Sequence, residues 1–143
     1  DPLNWADNLI LDPISEYRTQ PIHLLYQMAA YDELVPYETF AETATLMGIP
    51  QVQGGFRPVD GLEPVAPPVS ENLDGVTAAL FQYDRPARHQ FLLTCPEDID
   101  VMYSGQLQLA VFLSTWFETE APVIIDPWDP TQVGEYAPDW EAP

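Results

Sequence analysis

Residues 22–38 read IHLLYQMAAYDELVPYE, an apolar run that ends in an aspartate, with a proline four residues beyond it. From Pro21 to Ala30 only His23 and Gln27 interrupt the mostly apolar residues. That pattern fits a strand buried on both faces of a parallel sheet better than strict alternation does. The stretch from Tyr31 to Glu38 turns the chain, and from Thr39 to Met47 the residues Phe40, Ala44 and Met47 share one helical face. Gly48 follows as a stop signal. Strand, acid-bearing turn and amphipathic helix make half of a βαβ unit, so the expected fold class is α/β.

Downstream, residues 49–75 hold four glycines and five prolines without a sustained period. A stretch of that length without secondary structure reads as a functional or partner-covering excursion, hiding one short strand near Ile49 to Val52. Val76 to Tyr83, rich in β-branched and aromatic residues, reads as the second strand. His89 then falls in the loop past its carboxyl end. The stretch SGQLQLAVFLSTWFE predicts a helix with Ser104 as N-cap. Apolar residues lie on nearly every side of it, from Leu107 to Phe117, which predicts cover beyond the sheet. Upstream, Pro2 and Pro13 flank a short expected helix from Trp5 to Leu11. The domain expected from this pattern runs over residues 1–121, and residues 122–143 read as an acidic, proline-rich tail carrying a strand-like VII, Trp128 and Trp140.

Composition narrows the partners. Of 143 residues 46% are hydrophobic, enough for a core in a chain about one small domain long. Four arginines, Arg18, Arg57, Arg85 and Arg88, and no lysine stand against 23 acidic residues, for a net charge of −19. Such a surface repels phosphate backbones and anionic membranes, so no nucleic-acid partner is expected. The acidic residues are scattered and form no calcium loop, which favours a role in solubility at high ionic strength. One cysteine, Cys95, excludes an internal disulfide. No transmembrane run appears, and the start at Asp1-Pro2 predicts a processed piece of a longer product.

Chemistry in an open α/β sheet collects at the carboxyl ends of the strands. Asp32 and His89 both stand there in this reading. An imidazole acting as general base needs a carboxylate on its far nitrogen to fix the tautomer and support the imidazolium. His23 is the fallback base, otherwise a satisfied histidine in the strand, and Glu33 is the fallback acid, expected to point away from Asp32. Arg88 reads as a loop charge, and the two tryptophans of the tail as anchors to a neighbouring subunit. The two histidines and lone cysteine match no zinc spacing, and no metal or cofactor is expected.

A buried strand followed by DELVP, a helix, a further strand and a histidine resembles the last third of an α/β-hydrolase, whose triad runs nucleophile, acid, histidine. The wording from His23 to Pro50 is most similar to bacterial extracellular lipase and esterase-like proteins. The resemblance spans roughly residues 15–118. It implies the last strands and helices of a mostly parallel sheet, completed by another chain. It maps the acid onto Asp32, with Val35 and Pro36 as the following pair, and the base onto His89. It also implies a small apolar ester substrate and a secreted or cell-surface location.

Such a hydrolase needs a G-x-S-x-G nucleophile elbow. Ser15, Ser70, Ser104 and Ser114 all lack the flanking glycines, and Cys95 lies in TCPED. The expectation is therefore a C-terminal subunit of a processed two-chain serine ester hydrolase, with the nucleophile on the N-terminal chain of the same precursor. The alternative is a catalytically inactive hydrolase-derived structural or binding subunit. A third reading, a small binding domain that folds alone, predicts a monomer with a cooperative melt.

Overall fold

A computed structural model describes residues 6–10, 22–55, 57–84, 87–94 and 99–138. Its elements are β1 (Leu24–Ala29), α1 (Tyr37–Met47), β2 (Gln51–Val52), β3 (Pro64–Val65), β4 (Ala78–Tyr83), α2 (Ile99–Thr119) and α3 (Pro130–Tyr136). The protein is a small α/β domain with a four-stranded sheet in the order β1-β4-β2-β3, every neighbouring pair parallel.

β4 is buried at all six positions because it pairs on both edges and is covered on both faces. Its alternation divides the core in two. Ala79, Phe81 and Tyr83 pack with Val101 and Phe112 of α2 on one face. Ala78 and Leu80 pack with Ala44 and Met47 of α1 on the other. The result is three layers, helix on sheet on helix.

β1 pairs with β4 from Leu24 opposite Ala78 to Ala29 opposite Tyr83. Its outer edge has no strand partner among the described residues. Only Met28 and Ala29 are fully buried within it. Its apolar run is the pattern of an inner parallel strand, yet among the described residues it is the outermost strand of the sheet.

α1 begins directly after Pro36, which keeps extended dihedrals (φ −58°, ψ 145°) and supplies no side-chain cap. It ends where Gly48 adopts φ 66° and returns its N–H to the Thr45 carbonyl. That left-handed turn suits glycine, and Ile49 enters the core immediately after it.

Residues 49–75 contain the expected β2 and also β3, a two-residue strand around Pro64 that no periodicity marks. Side chains do most of the remaining organisation. The buried Gln51 amide donates to the Arg57 carbonyl at 2.9 Å and accepts from the Val59 N–H at 2.8 Å. Gln82, also buried, accepts from the Arg57 N–H at 3.0 Å. Asn72 exchanges two hydrogen bonds with the backbone of Ala78.

Several expectations are corrected. Ser104 is an interior residue of α2, which starts five residues earlier at Ile99. Burial of Val101 against the sheet outweighs the weak serine signal. The stretch from residue 122 is not merely a tail within its described part. Val123, Ile124 and Ile125 are buried, and Val69 and Ile124 exchange two backbone hydrogen bonds. The third helix, α3, starts at Pro130 with the Asp129 carboxylate accepting from Thr131 N–H at 2.8 Å. Trp128 packs against Phe81 and Tyr83 of the same chain, with ring centroids 5.9 and 5.3 Å away. Of the expected helix from Trp5 to Leu11, residues 6–10 form turns, and Trp5 and Leu11 lie outside the described residues, as do Ser15, Cys95 and Trp140.

Candidate active site

The carboxyl ends of β1 and β4 are adjacent because the two strands run parallel, and backbone hydrogen bonds continue the pairing past the strands. Ala30 N–H donates to Tyr83 O at 2.9 Å and Tyr31 N–H to Ala87 O at 3.2 Å. These bonds bring the turn after β1 against the loop after β4. Asp32 and His89, 57 positions apart in the chain, meet there.

The Asp32 carboxylate is fixed first by its own turn. Its Oδ1 accepts from the N–H groups of Leu34 at 2.9 Å and Val35 at 2.8 Å. This local closure explains an aspartate at this position, and Pro36 then releases the chain into α1. The His89 Nδ1 lies 3.0 Å from Asp32 Oδ2 and 3.1 Å from Oδ1. The Asp32 side chain is only 6% exposed, whereas that of His89 is 31% exposed.

Burial pushes the Asp32 carboxyl up, but the N–H groups of Val35 and Leu34 and the ring of His89 outweigh it and hold it below its ordinary value. The carboxylate is therefore ionised and acceptor-only near neutrality. A hydrogen bond to that acceptor-only carboxylate puts a proton on Nδ1, so in the uncharged tautomer of the ring the lone pair is on Nε2.

The loop around His89 is compact. Phe91 N–H donates to Arg88 O at 3.1 Å, and Leu93 and Thr94 N–H groups return to Gln90 O. Gln90 adopts φ 61°, a left-handed position that closes the turn immediately after the histidine. Ala87 and Phe91 anchor the loop in the core.

Glu33 differs from expectation. It does not point away: its Oε2 accepts from the His89 backbone N–H at 3.4 Å, so the acid beside Asp32 touches the same loop. His23 lies at the opposite, amino end of β1. Its Nδ1 accepts from Thr77 N–H at 3.0 Å, and burial, opposed by the Glu71 charge, lowers its pKa. That placement removes it as an alternative base for Asp32. Arg88 is exposed and forms no ion pair with a described residue.

Sequence reasoning missed the polar network beneath the site. The two protons of Gln27 Nε2 are shared among three acceptors within reach, Tyr83 Oη at 3.2 Å, Gly105 O at 3.0 Å and Gln108 Oε1 at 2.9 Å. Tyr83 Oη donates to the same Gln108 oxygen at 2.9 Å, and Gln108 Nε2 donates to Ile125 O at 2.6 Å. Gln27 was the signal: an amide inside an apolar strand requires buried partners. Burial drives the Tyr83 phenol up, so it stays protonated and donates.

No described serine shares a hydrogen bond with His89. Ser70 Oγ donates to Pro122 O and Ser114 Oγ to Val111 O. No group of three or more metal-ligating side chains occurs among the described residues. A cavity of about 590 Å³ runs along α1, lined by Tyr37, Ala41, Leu46, Arg57 and Val59 among others; neither Asp32 nor His89 lines it. No described helix is long and apolar enough to cross a membrane. Comparison with known proteins finds no family model, no curated protein and no solved structure that matches the chain.

Proposed function

We propose that the chain is the C-terminal subunit of a two-chain serine ester hydrolase, giving Asp32 and His89 to a serine on the N-terminal chain of the same precursor. The Asp32–His89 contact at the carboxyl edge of a parallel sheet carries this reading. His89 Nε2 takes the serine proton as the serine oxygen attacks the ester carbonyl. It returns that proton to the alcohol oxygen as the ester C–O bond breaks, leaving an acyl-serine. Water then repeats the sequence on the acyl-serine and releases the acid. Asp32 stays ionised and supports the imidazolium at each stage.

Two surfaces support a partner chain. The outer edge of β1 is unpaired among the described residues, and α2 exposes Tyr103, Trp116 and Phe117, the last at 80%. The substrate class is a small apolar carboxylic ester. In the assembled protein, His89→Ala abolishes ester hydrolysis; an assembly that hydrolyses esters equally well without the imidazole contradicts the mechanism.

The lack of a G-x-S-x-G elbow in this sequence motivates a second reading, a hydrolase-derived subunit that retains the fold without activity. It predicts no ester hydrolysis by any assembly containing this chain.

A further inference from the structure

Gly105 stands inside α2, at a position where alanine is intrinsically the better helix former. The reason for glycine lies across the interface. A Cβ at 105 would sit 2.5 Å from Leu92 Cδ2 and 2.7 Å from Phe91 Cε2, closer than packed carbons approach. The helix therefore rests its bare backbone on the loop that carries His89.

The two obstructing side chains are not equally able to yield. Leu92 is partly buried, and its terminal methyl can swing aside. Phe91 is buried, and its ring packs against that of Tyr83 with centroids 4.7 Å apart. Tyr83 in turn is held by the bond from its hydroxyl to Gln108. The Phe91 ring thus lies between Tyr83 and the Gly105 backbone, two residues from the histidine. Gln106 adds a clamp beside it, donating from Nε2 to Leu92 O at 2.7 Å.

We propose that Gly105 is a positioning residue: its missing side chain lets α2 seat Phe91, and the seated loop sets the His89 imidazole on the Asp32 carboxylate. The Asp32 carboxylate is oriented within its own turn by the Leu34 and Val35 N–H groups, so its aim does not rest on the imidazole. Any side chain at 105 pushes Phe91 outward and opens the gap between His89 and Asp32. The catalytic consequence rests on the hydrolase reading, whereas the geometric one does not.

The experiment observes the His89 Nδ1 proton by NMR in the 143-residue chain. In the wild type this proton, shared with Asp32, gives a low-field, slowly exchanging resonance that Asp32→Asn removes. Gly105→Ala loses that resonance while distant backbone amides keep their shifts. The compensated variant Gly105→Ala/Phe91→Leu, which removes the obstructing ring edge, regains it. If Gly105→Ala fails to fold, the compensated variant alone carries the comparison. A retained resonance in folded Gly105→Ala overturns the proposal, as does a compensated variant that fails to fold or lacks the signal. Both results leave the hydrolase reading standing. A wild type without the resonance overturns the proposal together with the Asp32–His89 couple on which that reading depends. In the assembled hydrolase, Gly105→Ala lowers kcat about 100-fold with KM little changed, the penalty of about 1 Å of misplacement.

Discussion

His89 Nδ1 lies within 3.1 Å of both oxygens of Asp32, and Asp32 Oδ1 simultaneously accepts two backbone N–H groups from its own turn. The carboxylate is thus saturated by donors from one side and points at the imidazole on the other. Its orientation within the turn is set without the histidine, so the imidazole is the partner that must be seated against it.

Asp32→Asn separates charge from shape. The amide oxygen keeps the Leu34 and Val35 N–H groups, and the NH2 then faces His89 Nδ1. Nδ1 must become the acceptor, and the ring proton moves to Nε2. On the proposed hydrolase reading Nε2 then no longer takes a serine proton, and ester hydrolysis by the assembled protein falls on the order of 10⁴-fold. The folded chain loses about 1 kcal/mol, the difference between hydrogen bonds to a charged and to a neutral acceptor, measured by urea denaturation.

The same carboxyl predicts a pH dependence. Its folded-state pKa is depressed below the ordinary 3.8 because the Val35 and Leu34 N–H groups and the His89 ring outweigh an opposing burial effect. A depressed value means that the stabilisation is fully present above about pH 4 and is lost as the pH falls through the lower folded value. Urea midpoints followed from pH 6 to pH 2 therefore fall more steeply for the wild type than for Asp32→Asn. Parallel profiles contradict the assignment.

Gln51 and Gln82 make separable predictions. Gln51→Leu removes the acceptor of the Val59 N–H and the donor to the Arg57 carbonyl, whereas Gln82→Leu removes the acceptor of the Arg57 N–H. Hydrogen exchange should accelerate mainly at Val59 in the first variant and at Arg57 in the second. Gln51→Leu leaves the buried Val59 N–H unsatisfied, at about 1–3 kcal/mol, whereas Arg57 is exposed and Gln82→Leu costs less. Equal acceleration across residues 53–60 in both variants indicates that the segment opens as one unit instead.

Much of this was legible in the sequence. The apolar run before Asp32 gave β1, the 40/44/47 stripe and Gly48 gave α1 and its end, and the β-branched and aromatic run gave β4. These signals are local and strong. The juxtaposition of Asp32 and His89 followed from their positions past two expected strands. What stayed hidden depends on contacts between distant segments. β3 is too short to show a period, α2 gains its first turn from burial, and Gly105 reveals its purpose only once Phe91 and Tyr83 lie beneath it. α3 was an avoidable miss, since Asp129-Pro130 is an N-cap followed by an N1 proline.

The most direct test of the central claim labels the purified complex of this chain and its partner with a fluorophosphonate. A two-chain serine hydrolase gives stoichiometric labelling of one serine on the partner chain, reduced to background by His89→Ala in this chain. A complex that takes up no label, or one whose labelling is indifferent to His89→Ala, contradicts it.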